Sequence, residues 1–176
     1  MTTFQRILTV LAVLFAAAVV RGAEPLKVGD KAPSFVGKDQ DGKEISSKEL
    51  WGHEKVVLLY FYPKDNTPGC TKEACGLRDR MSDLKKDGVE VIGVSFDSSA
   101  SHQKFIADQS LNFPLVADTD GKIADTYGVR MTGKNMARRV SFLIGKDGKI
   151  IHITDNPKAD VHLAEMKEAI ASLPKK

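Results

Sequence analysis

Cysteine is scarce in this 176-residue sequence, which contains only Cys70 and Cys75. Four residues separate them, so the chain lacks the Cys-x-x-Cys spacing of redox-active dithiol pairs. It also lacks a glycine-rich phosphate loop behind a strand pattern. Its four histidines match no metal-ligand spacing and are assigned surface or capping roles: His53, His102, His152 and His162. We therefore expect neither a nucleotide nor a metal cofactor.

The sequence also lacks a large excess of positive or negative charge. The chain has 26 Lys and Arg residues against 23 Asp and Glu residues, which gives a formal net charge of +3. Positive and negative side chains alternate along the sequence, and no basic stripe with interleaved aromatic residues appears. We therefore expect no nucleic-acid partner.

Long hydrophobic runs are absent as well. The longest uncharged apolar run covers residues 7–20 and is shorter than the roughly 20 residues that a membrane-spanning helix needs. Arg6 precedes this run, and Arg21 and Gly22 follow it. The pattern predicts a secretory signal peptide over residues 1–22, and hence an exported protein, periplasmic or secreted, without stable membrane insertion after cleavage. An uncleaved membrane anchor is the alternative.

Downstream of this segment, residues 23–30 are interpreted as a linker, and residues 31–176 suffice for one domain with a single core. Strand patterns and helix patterns alternate along the domain. The strand patterns cover residues 56–62, 89–96 and 113–117 and a hairpin at 140–153; the helix patterns cover residues 71–87, 99–109, 120–127 and 160–173. This order predicts an α/β fold with a mixed central β-sheet flanked by helices on both faces.

The two cysteines directly follow the first apolar strand pattern. Pro63 ends that pattern, and a helical period begins at about Thr71, so we expect a helix that begins just after Gly69. Cys70 then lies at the helix N-terminus, where free backbone N–H groups and the helix dipole stabilise a thiolate over a thiol. Thr67 can offer a hydroxyl to whatever approaches the sulfur.

Cys75 follows Cys70 by five positions. In an ideal helix, that separation places the two Cα atoms roughly 8.5 Å apart and on different sides, whereas a disulfide needs about 4.4 to 6.8 Å. A disulfide between them therefore requires the first turns of the helix to unwind. Two other interpretations stay open, which are a structural disulfide in an exported protein and a buried apolar role for Cys75.

The segment PKDNTPGC, residues 63–70, resembles the Pro-x-x-x-Thr-x-x-Cys active-site motif of peroxiredoxins. The following TKEAC is similar to the bacterioferritin comigratory protein or Q-type branch, in which a resolving cysteine lies five positions on. The similarity runs from about residue 26 to residue 173 and includes VGDKAPSF, residues 28–35. It implies a thioredoxin-like fold and thiol-dependent reduction of hydrogen peroxide or organic hydroperoxides.

The resemblance also implies a role for each matching residue. Cys70 matches the peroxidatic cysteine, which attacks the O–O bond and becomes a sulfenic acid; Cys75 matches the resolving cysteine, which condenses with it to an intramolecular disulfide. Pro63 matches the residue that shields the thiolate, and Thr67 matches the hydroxyl that contacts the peroxide. A thioredoxin-like partner would then reduce the disulfide.

The family's active-site arginine precedes a strand similar to Arg-x-Ser-Phe-Leu-Ile, which here is RVSFLI, residues 139–144. The resemblance therefore implies that the Arg139 guanidinium stabilises the thiolate and polarises the peroxide. Arg138 is expected to face solvent, because side chains alternate along a strand. A resolving cysteine in the same chain removes the chemical need for a partner subunit, and we expect a monomer.

Three other functions compete with a peroxidase. An exported thioredoxin-like thiol:disulfide oxidoreductase is the first, although such proteins use Cys-x-x-Cys. A copper- or haem-assembly chaperone on the same fold is the second, and it would need metal ligands near the cysteines. A purely structural exported domain is the third, and ordinary, slow thiol reactivity would support it.

Overall fold

A mixed β-sheet with helices on both faces forms the core of the protein. The computed structural model describes residues 25–51 and 55–173. Its strands are β1 (Val36–Lys38), β2 (Glu44–Ser46), β3 (Val56–Phe61), β4 (Val89–Ser95), β5 (Leu115–Ala117), β6 (Val140–Ile144) and β7 (Ile150–Asp155). Its helices are α1 (Ser47–Leu50), α2 (Pro68–Arg78), α3 (Met81–Lys86), α4 (Ser99–Gln109), α5 (Lys122–Thr126) and α6 (Ala159–Ala171).

Strand β3 lies in the middle of a five-stranded sheet with the order β5-β4-β3-β6-β7. It pairs in parallel with β4 and antiparallel with β6, and all six of its residues are buried. A strand covered on both faces is expected to be continuously apolar, as β3 is. The predicted mixed sheet is therefore confirmed, and so is the predicted hairpin of β6 and β7, whose turn has Gly148 at a φ of +76°.

Alternate residues of β3 face two separate apolar clusters. Leu58 and Tyr60 belong to the cluster on the face that α2, α3, α4 and α6 cover. Val57 and Leu59 belong to the cluster on the opposite face, which α5 and the chain before β1 cover. The chain leaves the end of β3 through Pro63 and enters α2, so the loop that carries the sequence motif lies at this end of the sheet.

The helix predicted over residues 71–87 is two helices, α2 and α3, and this prediction was wrong. Arg80, at φ −102° and ψ 0°, interrupts the helical backbone between them. The Arg78 carbonyl accepts a hydrogen bond from the Asn112 side chain at 3.4 Å. The apolar period runs through the break because Met81 and Leu84 reach the same core as α2, so the pattern alone does not reveal it.

The packed domain includes part of the segment interpreted as a linker. Leu26 packs against the second apolar cluster, and Gly29 donates a backbone hydrogen bond to Ile150 at 2.8 Å. The predicted signal peptide, residues 1–22, lies outside the described residues. Among the helices that the structure describes, none has the length and hydropathy needed to cross a membrane.

Candidate active site

Cys70 lies in the first turn of α2. The helix begins at Pro68, two residues earlier than predicted, because the fixed φ of proline suits the first helical position, where its missing N–H costs nothing. The first intrahelical hydrogen bond runs from the Thr71 N–H to the Thr67 carbonyl at 2.8 Å. Cys70 is only 2% exposed, so its thiol sits in a protected position at the positive end of the helix dipole.

Arg139 contacts the Cys70 sulfur. It immediately precedes β6, and its Nη2 donates to Cys70 Sγ at 3.4 Å, while its Nε donates to the Pro157 carbonyl at 3.3 Å. A side chain at position 69 would place its Cβ only 3.2 Å from the same Nη2, so Gly69 leaves room for the guanidinium. The structure thus brings together two predicted site residues that are far apart in sequence.

Glu73 forms a buried contact with the Arg139 guanidinium beside the thiol. It lies one turn after Cys70, its side chain is fully buried, and its carboxylate contacts Arg139 Nη1. Burial raises the pKa of Glu73 to about 7, although the charge and hydrogen bond of Arg139 act in the opposite direction. Burial also disfavours the charged guanidinium, but the neighbouring Glu73 and Cys70 raise the pKa of Arg139, which therefore stays positively charged.

His162 lies behind this pair, on α6. Its Nε2 is 2.9 Å from the Ser141 hydroxyl and 3.4 Å from Glu73 Oε1, and its side chain is fully buried. Burial lowers the pKa of His162 to about 4, and the charge of Arg139 acts in the same direction, so the imidazole is neutral at physiological pH. It therefore supplies Glu73 with no second positive charge.

The surface or capping roles predicted for the histidines were wrong for His102 and His162. Both side chains are fully buried. Polar partners on other elements make this burial of each imidazole tolerable. His162 contacts Ser141, and His102 contacts Asp65 at 2.9 Å. His152 is half-buried, and His53 lies outside the described residues.

Pro63 and Thr67 flank the loop that joins β3 to α2, and both are half-buried. The Thr67 hydroxyl donates to the Lys64 carbonyl at 3.0 Å, which leaves its oxygen able to accept a hydrogen bond. Asn66 has a φ of +54°, a left-handed conformation that asparagine tolerates better than most residues. The loop is therefore sharply turned directly before Cys70.

The structure does not place the Cys75 thiol next to the Cys70 thiol. Both thiols are free, and α2 is continuous between them, so their Cα atoms are roughly 8.5 Å apart by helix geometry. The half-buried Cys75 Sγ instead lies 3.6 Å from Gln109 Oε1. Arg138 also lies apart from the site, since its side chain is 42% exposed and contacts Asp155.

Sequence reasoning missed Glu73 as a member of the site. A signal was present, because Glu73 shares the buried face of α2 with Cys70, Ala74 and Leu77. A charged residue on such a face needs a partner of opposite charge, which the packing supplies as Arg139. Within the described ranges, no group of three or more His, Cys, Asp or Glu residues is arranged to hold a metal ion.

Known proteins are similar to this chain in sequence and in fold. The AhpC/TSA family model matches residues 28–153. Peroxiredoxin Bcp of Escherichia coli strain K12 is 45% identical over 144 residues, which cover 78% of this chain and 91% of that protein. The solved structure of peroxidoxin BcpB from Mycobacterium tuberculosis has a TM-score of 0.77 at 30% identity. This match covers 85% of this chain and 99% of that one.

A second solved structure carries information on activity. It is that of the bacterioferritin comigratory protein of Xanthomonas campestris, described for its alkyl peroxide reduction activity. It has a TM-score of 0.70 at 30% identity, and the match covers 78% of this chain and 90% of that one. The predicted thioredoxin-like fold and the predicted peroxiredoxin resemblance are both confirmed. On the family match, the 45% identity and the shared fold, this chain belongs to the AhpC/TSA family, among the Bcp peroxiredoxins, and is a thiol-dependent peroxidase.

Proposed function

We propose that this protein reduces hydrogen peroxide and organic hydroperoxides through Cys70, with Cys75 as its resolving cysteine. The observation that carries the proposal is the 3.4 Å contact between Arg139 Nη2 and Cys70 Sγ in the first turn of α2. A guanidinium and a helix N-terminus both favour a thiolate over a thiol, and the thiolate is the nucleophile.

In the first step, the Cys70 thiolate attacks one oxygen of the peroxide, and the O–O bond breaks. Sulfur is oxidised to a sulfenic acid, which keeps the hydroxyl of the hydroperoxide, and the other oxygen leaves as an alcohol or water after it gains a proton from solvent. Arg139 stabilises the negative charge as it moves from sulfur to the leaving oxygen. Its contact with Glu73 keeps the guanidinium from rotating away.

Thr67 and Pro63 determine where the peroxide binds. The Thr67 hydroxyl proton is committed to the Lys64 carbonyl, so the Thr67 oxygen accepts a hydrogen bond from the peroxide O–H. Pro63 has no N–H and fixes its own φ, which stiffens the loop and limits the access of water to the sulfur. A fixed peroxide close to the sulfur reacts faster because less orientational freedom is lost in the transition state.

In the second step, Cys75 attacks the sulfenic sulfur, a disulfide forms, and water leaves. The helical separation of about 8.5 Å requires α2 to unwind first. Gly76, inside α2, lowers its intrinsic helix stability by about 1 kcal/mol relative to alanine, which favours this opening. A thioredoxin-like dithiol then supplies two electrons and returns both cysteines to thiols.

The cellular setting is part of the same proposal. Residues 1–22 are a signal peptide, the mature protein acts outside the cytosol as a monomer, and its reductant is therefore an exported dithiol protein. Fractionation of cells that produce the full chain, with intact mass measured in each fraction, tests the export. Recovery of only the uncleaved chain, in the cytosol, would contradict it.

Rapid-mixing kinetics test the peroxidase chemistry. The reduced domain is mixed with one equivalent of hydrogen peroxide or an alkyl hydroperoxide, and thiol loss is followed over time. We expect oxidation far faster than that of free cysteine, abolished in Cys70→Ser and diverted to a stable sulfenic acid in Cys75→Ser. The alkyl peroxide is included because the Xanthomonas campestris relative is described as reducing such substrates.

A rate close to that of free cysteine would overturn the proposal, because the loop and Arg139 would then not activate Cys70. The Cys75→Ser variant also identifies the resolving residue. If the oxidised wild type instead kept a free Cys75 thiol while Cys70 stayed a sulfenic acid, Cys75 would have no role in resolution.

A further inference from the structure

A second buried polar cluster holds the loop that joins β3 to α2, and its centre is Asp65. Oδ1 of Asp65 accepts from the Tyr62 hydroxyl at 2.7 Å, and Oδ2 accepts from the Ser101 hydroxyl at 2.7 Å. Nδ1 of His102 lies 2.9 Å from the same Oδ2. Asp65 is only 5% exposed, and His102 is fully buried, so water does not screen this cluster.

Both ring nitrogens of His102 face acceptors. Nε2 lies 3.2 Å from the Val116 carbonyl oxygen. Nδ1 lies 2.9 Å from Asp65 Oδ2 and 3.4 Å from the Tyr62 hydroxyl oxygen, whose own proton is donated to Asp65 Oδ1 at 2.7 Å. A backbone carbonyl can only accept, so Nε2 must carry a proton. A neutral imidazole has one N–H, and its Nδ1 would then present a lone pair to a carboxylate oxygen at short range. Only the imidazolium donates from both nitrogens.

The proton belongs to the imidazole rather than to the carboxyl group. Asp65 already accepts from two hydroxyls, which favours its charged form. Burial opposes ionisation, but the hydrogen bond and charge of His102 and the hydrogen bonds of Ser101 and Tyr62 together lower the pKa of Asp65 below its usual value. Another acid at this cluster, Asp97, accepts the Asp65 backbone N–H at 3.0 Å.

We propose that His102 is a positioning residue, held as a buried imidazolium that clamps Asp65 and thereby fixes the active-site loop against α4 and β5. The proposal rests on the proposed function, in which this loop places Pro63 and Thr67 at the peroxide. The two contacts of His102 connect three elements, since Asp65 lies on the loop, His102 on α4 and Val116 on β5.

The loop has a reason to need such a clamp. Asn66, next to Asp65, adopts a left-handed φ of +54°, a conformation that asparagine tolerates but that the loop must hold against its other backbone states. Without the ion pair, the loop could relax toward ordinary backbone angles and carry Thr67 away from its position. A displacement of about 1 Å at a reacting group can cost up to about a hundredfold in rate.

The protonation state is tested directly by NMR on protein labelled with ¹⁵N-histidine. We expect His102 of the wild type to show protons bound to both ring nitrogens. In Asp65→Asn, the new amide donates to Nδ1, and we expect a neutral ring with a proton on Nε2 only.

The role is tested by the second-order rate constant of Cys70 oxidation in the same samples. We expect Asp65→Asn to lose about tenfold or more, whereas the control His152→Asn, a half-buried histidine of β7, keeps the wild-type rate. A neutral His102 in the wild type, or an Asp65→Asn protein with the full rate, would overturn the proposal. This result differs from the one expected if the proposed function itself were wrong, because the wild type would then react no faster than free cysteine.

Discussion

Replacement of Arg139 by methionine tests the electrostatic part of the mechanism. Methionine has a similar length and an unbranched stem, so it fills the buried space without a charge or a donor. The change removes the Nη2 contact with Cys70 Sγ and the Nη1 contact with Glu73. Glu73 then loses the group that lowers its pKa, and we expect it to take up a proton rather than remain as an isolated buried charge.

The size of the effect follows from the distance. Two unit charges separated by the observed 3.4 Å interact by about 5 kcal/mol at an effective dielectric constant of about 20. Glu73 also contacts the guanidinium, and part of the gain offsets desolvation. We therefore take about 2 to 3 kcal/mol as the net stabilisation of the transition state, in which the negative charge moves from sulfur to the leaving oxygen. This corresponds to a loss of about 30- to 150-fold in rate.

The assay is the second-order rate constant for hydrogen peroxide in a Cys75→Ser background, with sulfenic acid measured by quenched-flow mass spectrometry. Arg138→Met is the matched control, because Arg138 is the adjacent arginine, with a side chain that is 42% exposed and contacts Asp155. We expect the control to react within about twofold of the parent. An Arg139→Met protein within threefold of the parent would refute the argument from charge.

Three smaller predictions concern residues around the same contact. Glu73→Gln should gain stability relative to the wild type by up to about 3 kcal/mol as the pH rises from 5 to 8. Between pH 4.5, the ordinary pKa of the carboxyl group, and about pH 7, folded Glu73 keeps a proton that the unfolded chain has released. Wild-type stability therefore falls as the pH rises. Urea unfolding at the two pH values measures this fall. Gly69→Ala should slow peroxide reduction several-fold with little loss of stability, because its Cβ, 3.2 Å from Arg139 Nη2, pushes the guanidinium away; paired kinetics and melting curves separate the two effects. Tyr60→Phe should leave stability unchanged or raise it by about 1 kcal/mol in urea unfolding, because the buried Tyr60 hydroxyl has no hydrogen-bond partner among the described residues.

The local elements could be predicted from the sequence because their signals are local. The continuous apolar run of β3 and the glycine turn of the β6–β7 hairpin depend on neighbouring residues only. The break between α2 and α3 gave no such signal. At the break, Arg80 leaves the helical conformation and the Arg78 carbonyl accepts a hydrogen bond from the distant Asn112 side chain, while the apolar period continues unchanged.

The site could be predicted only in part. The position of Cys70 at a helix N-terminus follows from nearby residues, but its contact with Arg139 joins positions 69 residues apart and was expected only from the family resemblance. Glu73 and His102 were missed because burial of a charged or titratable side chain depends on partners that only the folded chain supplies. For Glu73 that partner is Arg139, and for His102 it is Asp65.

Hydrogen–deuterium exchange with mass detection tests whether Cys70 reacts with peroxide and whether α2 opens so that Cys75 can reach it. Reduced protein and protein treated with one equivalent of hydrogen peroxide are compared. We expect an intact mass lower by two hydrogens, a Cys70–Cys75 disulfide, and faster exchange across Pro68–Arg78 in the oxidised form only. Equal protection of α2 in both forms, or a disulfide between chains, would contradict it.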